Sequence, residues 1–264
     1  MASYVLIHGA YQGGWIWAPT AARLRAQGHT VYAPSLDGCG ERRHQLRPGI
    51  TTESHAVEIA ELMFYEDLHD VVLTGTSSGG MVLCRAAELA RERIARLVFV
   101  DALALLDGER IGEIVNRTGT RVTTPLAVGS SREDAESRMF GALDPELRAW
   151  AVARYTLHPI AAMEEPVELK SFWGQSWPRT TVIRCRRSVN PPEAHQRRTA
   201  EKLNGKYLEL DAGHYPMLSD ADALVPLLMQ GDSNPVTSSS VARAPELLRL
   251  GLRLLTACHS QRPR

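Results

Sequence analysis

A serine hydroxyl is a useful nucleophile only when a base takes its proton and fixed donors meet the oxyanion that forms. Ser77 stands in V-V-L-T-G-T-S-S-G-G-M-V, residues 71–82, where an aliphatic run enters Gly75-Thr76-Ser77-Ser78-Gly79 and a helix-forming segment follows from Met81 to Ala90. Glycines two places either side of the serine allow a turn tight enough to leave its hydroxyl exposed at the strand's carboxyl end. Gly80 lets the helix start close to its neighbours. The pentapeptide alone also fits a plain strand-to-helix turn, and its setting between a buried strand and a helix favours a nucleophile elbow.

A base must come from another strand end. Of the nine histidines, His214 is the best placed, because it follows the last strand and a glycine that frees the loop. Serine before histidine is also the chain order expected for an elbow nucleophile. His29, His69, His158 and His195 read as solvent-side residues, His259 lies in the tail, and His8 reads as a structural loop histidine. The oxyanion donors for such an elbow are the N–H of the residue after the serine and one from the first glycine-rich loop, here Ser78 and Ala10. Each is worth about 3 kcal/mol.

The elements that must carry these residues follow from the hydrophobic pattern. Tyr4 to Ile7 is a short apolar strand ending in His8-Gly9-Ala10-Tyr11-Gln12-Gly13-Gly14, and Trp15 to Ala26 has helical spacing. Thr30 to Ala33 is a second strand. Thr52 or Ser54 can cap a helix through Tyr65, Asp70 to Thr74 feeds the elbow, and Leu97 to Val100 is a further strand that ends at Asp101. Strands alternating with helices predict an α/β fold with a mostly parallel, doubly wound sheet, and chemistry at the carboxyl ends of its strands. Between about residues 106 and 178 the rhythm breaks. Helical stretches, Arg132 to Phe140 and Pro145 to Tyr155, occur there without a strand, which suggests a helical lid inserted into the sheet. Thr180 to Ile183, Pro192 to Leu203 and Tyr207 to Leu210 restore strand, helix, strand, and a closing helix runs from about Asp220 to Gln230. Residues 1–230 thus form the expected catalytic domain. Residues 231–264 are a polar linker and a tail, with a possible amphipathic helix over 244–257 that docks, frays or meets a partner or membrane surface.

Lys plus Arg and Asp plus Glu number 30 each, so no net field draws the chain to nucleic acid or an anionic membrane. A small-molecule partner is expected. Cys39, Cys84, Cys185 and Cys258 show no metal-ligand spacing. No apolar run approaches the roughly 20 residues of a spanning helix, and the first strand begins too near Met1 for a signal peptide, so a cytoplasmic location is expected.

The segments L-I-H-G-A-Y-Q-G-G-W-I-W, S-L-D-G-C-G-E-R-R-H, Y-E-D-L-H-D-V-V-L-T-G-T-S-S-G-G-M and D-A-G-H-Y-P-M-L-S occur in this order across about residues 3–228. Together they resemble the small bacterial α/β-hydrolases related to plant methylesterases and hydroxynitrile lyases. The resemblance implies the α/β-hydrolase fold with a helical lid over the pocket, and an esterase core that uses neither metal nor cofactor. Position by position it implies Ser77 as nucleophile, His214 as base, and Ala10 and Ser78 as oxyanion donors.

Two positions depart from the family pattern. Thr76 stands where histidine usually precedes the nucleophile. Ser188, in R-C-R-R-S-V-N-P-P, stands where the acid follows its strand, and residues 184–190 contain no carboxylate. Loss of the acid costs about four orders of magnitude in turnover. Asp101 is the obvious substitute, although relatives with a normal acid also tend to carry an aspartate there. Glu193 is a weaker candidate, and a site without an acid is the remaining possibility.

Three functions follow in order of preference. The first is a serine hydrolase acting on a small ester, thioester or lactone. The second is a lyase, dehydratase or cyclase using Ser77 and His214 as a proton shuttle, and the third is a receptor of the same fold. Hydroxynitrile lyase chemistry is disfavoured, because such relatives have threonine at the place of Gly9 and lysine at that of Tyr215. Met139, Phe140, Trp150 and Tyr155 give the lid an apolar wall.

Overall fold

The computed structural model of the protein describes residues 1–115 and 118–230. Six strands, β1 (Ser3–Ile7), β2 (Thr30–Tyr32), β3 (Val71–Ser77), β4 (Ile94–Ala102), β8 (Thr180–Cys185) and β9 (Lys206–Leu210), form one sheet in the order β2-β1-β3-β4-β8-β9. Every pairing in it is parallel. Residues 71–76 of β3 are all buried, as a strand covered on both faces requires.

Alternate side chains feed two separate cores. Val5, Ile7, Leu73, Leu97 and Phe99 face one side, where Ile59 and Met63 of α2 (Thr52–Tyr65) and Leu83 of α3 (Gly79–Leu89) pack. Tyr4, Leu6, Val72, Val98 and Val100 face the other, against Ala21 and Leu24 of α1 (Ala18–Ala26) and Leu224 and Leu228 of helix Ala221–Leu228. This period of two lets one sheet bind helices on both faces, and the connecting loops gather at the carboxyl edge. The cap of α2 is Thr51, not Thr52 or Ser54. Its hydroxyl accepts from the Ser54 N–H at 3.2 Å and the Ser54 hydroxyl accepts from the Thr51 N–H at 2.9 Å, while the buried Thr52 hydroxyl donates to the Ala162 carbonyl at 3.3 Å.

The segment between β4 and β8 differs from an all-helical insertion. It holds helix Pro145–Arg154, close to the expected bounds, but also an antiparallel sheet of β5 (Arg121–Thr123), β6 (Ala127–Ser130) and β7 (His158–Pro159). These strands are too short to leave a period of two in the sequence. The expected helix at 132–140 starts as an α-turn at Arg132–Asp134 and widens into a π-turn at Ala135–Met139, where the Phe140 N–H donates to the Ala135 carbonyl at 2.9 Å.

Two histidines expected at the surface are buried, His158 in β7 and His195 in helix Glu193–Lys202. Each ring accepts a backbone N–H from another element, Tyr11 at 3.4 Å and Ala104 at 3.0 Å respectively, contacts no sequence period reveals. Cys39, Cys84 and Cys185 are buried free thiols. No described helix is long and apolar enough to cross a membrane. The linker and the helix expected at 244–257, with Cys258 and His259, lie outside the described residues.

Candidate active site

Ser77 is the last residue of β3 and α3 begins at Gly79, so the chain reverses from strand to helix across Ser78. The turn forces Ser77 to φ = 50°, a left-handed conformation that a residue with a Cβ holds only under strain, of order 1–3 kcal/mol. A Cβ on Gly75 would fall 2.8 Å from the Gly79 carbonyl oxygen, which is why the elbow needs glycine there. Ser77 is also tied to the next strand, its carbonyl accepting from the Leu103 N–H at 2.8 Å. Gly9 lies against it from the other side. A Cβ on Gly9 would sit 2.7 Å from the Ser77 Cβ, and this closeness brings the loop carrying Ala10 to Ser77.

Asp101 near the end of β4 is the residue that faces the histidine. Its Oδ2 lies 2.5 Å from His214 Nδ1, and its side chain is fully buried while that of His214 is 22% exposed. The other carboxylate oxygen, Oδ1, accepts from Gln196 Nε2 at 2.8 Å and from the Cys185 N–H at 3.2 Å. Asp101 is itself held at φ = 45°. Strained residues at both Ser77 and Asp101 mark a site whose geometry the surrounding fold imposes. Ser188 is not excluded from the arrangement. Its hydroxyl donates to the Asn190 carbonyl at 2.9 Å and stands 3.5 Å from the same His214 nitrogen, too far to replace the carboxylate as primary partner. Glu193 is spent elsewhere, in ion pairs with Arg184 and Arg197.

His214 reaches the site from the loop after β9. The Arg187 N–H donates to the Ala212 carbonyl at 3.0 Å and binds that loop to the one following β8. The next residue, Tyr215, is buried and packs on the His214 ring and on Phe140, with centroids 4.9 and 5.0 Å apart. Phe140 and Trp150 both lie against Trp15, and Phe140 is fully buried there. A cavity of about 770 Å³ is lined among others by Trp15, Leu46, Ala127 and Tyr155; neither Ser77 nor His214 lines it.

His8 has the structural place expected of it. It donates from Nδ1 to the Gly9 carbonyl at 2.7 Å and accepts at Nε2 from the Leu36 N–H at 3.0 Å, which fixes the neutral ring and braces the loop before Ala10. Burial pushes its pKa down to about 4. Burial, then the charge of Arg198, brings His195 to about 4 as well. An unfolded chain protonates both rings near pH 6.5, whereas the folded protein refuses those protons until about pH 4. Stability therefore falls as the pH drops through that window, by about 2 kcal/mol per histidine at pH 5. Thermal melts at pH 7 and pH 5 should show a lower Tm at pH 5, with a smaller difference in His195→Gln.

Gln196 is the residue at this site that the sequence does not announce. It lies on helix Glu193–Lys202, whose buried positions are His195, Gln196, Thr199 and Ala200. A mostly polar inward stripe is the one signal that could have marked it, because polar side chains go inside only when they have partners.

The comparisons agree with this architecture. The chain matches the alpha/beta hydrolase family over residues 4–227. It is 31% identical over 179 residues to a carbendazim hydrolyzing esterase of Nocardioides sp., a match covering 64% of this chain and 74% of that one. It is 28% identical over 251 residues to methylesterase 3 of Arabidopsis thaliana, covering 86% and 94%. An extracellular alpha/beta-hydrolase from a Paenibacillus species has the same fold, with a TM-score of 0.74 at 21% identity over 87% of this chain and 98% of that one. The chain belongs to the alpha/beta hydrolase family and stands among its carboxylic ester hydrolases.

Proposed function

We propose that the protein is a serine hydrolase that cleaves a small ester, thioester or lactone through an acyl-enzyme on Ser77, with His214 as base and Asp101 as acid. The observation that carries this reading is the 2.5 Å contact between His214 Nδ1 and Asp101 Oδ2, because it supplies the carboxylate missing at Ser188. With Nδ1 donating to Asp101, Nε2 is the ring nitrogen left to accept a proton. Residues 1–230 are the catalytic domain in this reading, and the insertion between β4 and β8 is the lid.

The steps follow from those roles. His214 Nε2 takes the Ser77 proton as Oγ bonds to the carbonyl carbon, and the negative charge moves to the carbonyl oxygen. Ala10 and Ser78 donate their N–H groups to that oxygen. Ser78 is the residue before α3, so the helix's positive end adds to the donor field. Collapse of the tetrahedral adduct breaks the bond to the leaving oxygen or sulfur, which receives the proton from His214. Water, deprotonated by His214 in turn, cleaves the acyl–Ser77 bond and regenerates the hydroxyl. Asp101 orients the ring and offsets its transient charge throughout without taking the proton.

The named relatives support the ester class, being a carbendazim hydrolyzing esterase and a methylesterase. A fluorophosphonate probe tests the reading directly. Covalent labelling that maps to Ser77 and vanishes in Ser77→Ala is the expected result; absence of labelling in active protein contradicts it and favours proton-shuttle chemistry.

A further inference from the structure

We infer that Gln196 is a positioning residue that makes Asp101 a working acid, an assignment that rests on the triad reading above. In the resemblance read from the sequence, the segment after β8 should deliver the acid itself. Here it ends at Ser188, and the helix that follows delivers a donor to a carboxylate on the neighbouring strand instead.

The geometry is specific. Gln196 Nε2 has two hydrogens, and they go to Asp101 Oδ1 at 2.8 Å and to the Pro191 carbonyl at 3.0 Å. Its Oε1 is buried without a hydrogen-bond partner among the described residues. Flipping the amide would point that oxygen at a carboxylate and a carbonyl, so the assignment is forced by charge. Gln196 is fully buried. A buried amide with both hydrogens used and its oxygen idle is kept for its donors.

The donor decides which way the carboxylate faces. Oδ1 is held by Gln196 and the Cys185 N–H, which leaves Oδ2 for His214. Without Gln196, a single N–H at 3.2 Å restrains Oδ1, and the carboxylate can turn away from the imidazole. The link to Pro191 fastens the same amide to the loop containing Ser188, so the base, the acid and the vacated acid position share one framework. The titratable groups facing Asp101 are His214, the Cys185 thiol and the Tyr215 phenol; burial pushes the last two up, so they stay neutral at working pH.

Four variants test the inference by steady-state kinetics with a short p-nitrophenyl ester, each checked by circular dichroism and Tm. Gln196→Met, close in shape and without donors, should lower kcat between about tenfold and a hundredfold, the range for a hydrogen bond to a charged group, with KM changed less than about threefold. Gln196→Glu sets a second buried carboxyl beside Asp101 and can donate to Oδ1 only while the pair keeps a shared proton; activity should therefore be retained best at low and neutral pH and fall as the pH rises and that proton leaves, a limb absent from wild type. Residues that act as one unit are not additive, so adding Gln196→Met to Asp101→Asn should cost less than about threefold beyond Asp101→Asn alone. A kcat within twofold of wild type in Gln196→Met, losses that multiply in the double variant, or a Gln196→Glu loss independent of pH would each overturn the inference. If Asp101→Asn alone leaves kcat unchanged, the triad reading itself fails, a result distinct from failure of the Gln196 role.

Discussion

Ser77→Ala is expected to lower kcat for ester cleavage by about 10⁶-fold, with KM little changed. The size follows from what the hydroxyl does. Removing it closes the covalent route entirely, and an oxyanion hole together with substrate binding, the hole being the one proposed at Ala10 and Ser78, retains roughly a thousandfold over water. Stability should not confuse the result, because alanine has the same Cβ as serine and meets the same backbone strain at φ = 50°. Triad members act as a unit, so combining Ser77→Ala with His214→Ala should add little further loss. Stopped-time product assays at high enzyme concentration, with circular dichroism as the fold control, measure this. A residual kcat within a hundredfold of wild type would remove Ser77 from the nucleophile's place.

The second large effect concerns the acid. Asp101→Asn should lower kcat by about 10⁴-fold, because an amide cannot offset the imidazolium charge and its N–H₂ group, if turned to Nδ1, demands the wrong tautomer. Asparagine tolerates the left-handed backbone that Asp101 adopts, so the fold should survive. Ser188 offers a second arm. Its hydroxyl already stands 3.5 Å from His214 Nδ1, and a carboxylate there is about one bond longer. Asp101→Asn combined with Ser188→Asp should therefore regain at least about tenfold over Asp101→Asn alone, equivalent to about 1.4 kcal/mol of barrier. Turnover in Asp101→Asn equal to wild type would show that Asp101 is a structural residue and that the base works without it.

Much of this site can be read from the chain because its parts are local. The elbow at Ser77 is written in six consecutive residues, and the strand before it and helix after it confirm each other. His214 is marked by its place after the last strand, and Ala10 by the glycines around it. Asp101 is visible as a strand end, but its pairing with His214 is not, since only tertiary packing brings the end of β4 to a loop two strands away. Gln196 leaves no trace beyond a polar inward stripe. The burial of His158 and His195 has the same cause: each ring accepts a backbone N–H from a distant segment, which no periodicity records. The strands of the insertion are missed for a different reason, being two to four residues long. The cap of α2 shifts by one residue because Thr51, Thr52 and Ser54 are all competent cap types, and only packing of Thr52 against the insertion chooses among them.

The central claim is that turnover passes through a covalent acyl group on Ser77, and acid quenching followed by peptide mass spectrometry tests it most directly. Wild-type protein mixed with excess short p-nitrophenyl ester and quenched within the first turnovers should carry one acyl group on the peptide containing Ser77, and on no other. The Ser77→Ala protein should carry none. Ester turnover at the wild-type rate with an unmodified Ser77 peptide would contradict the account.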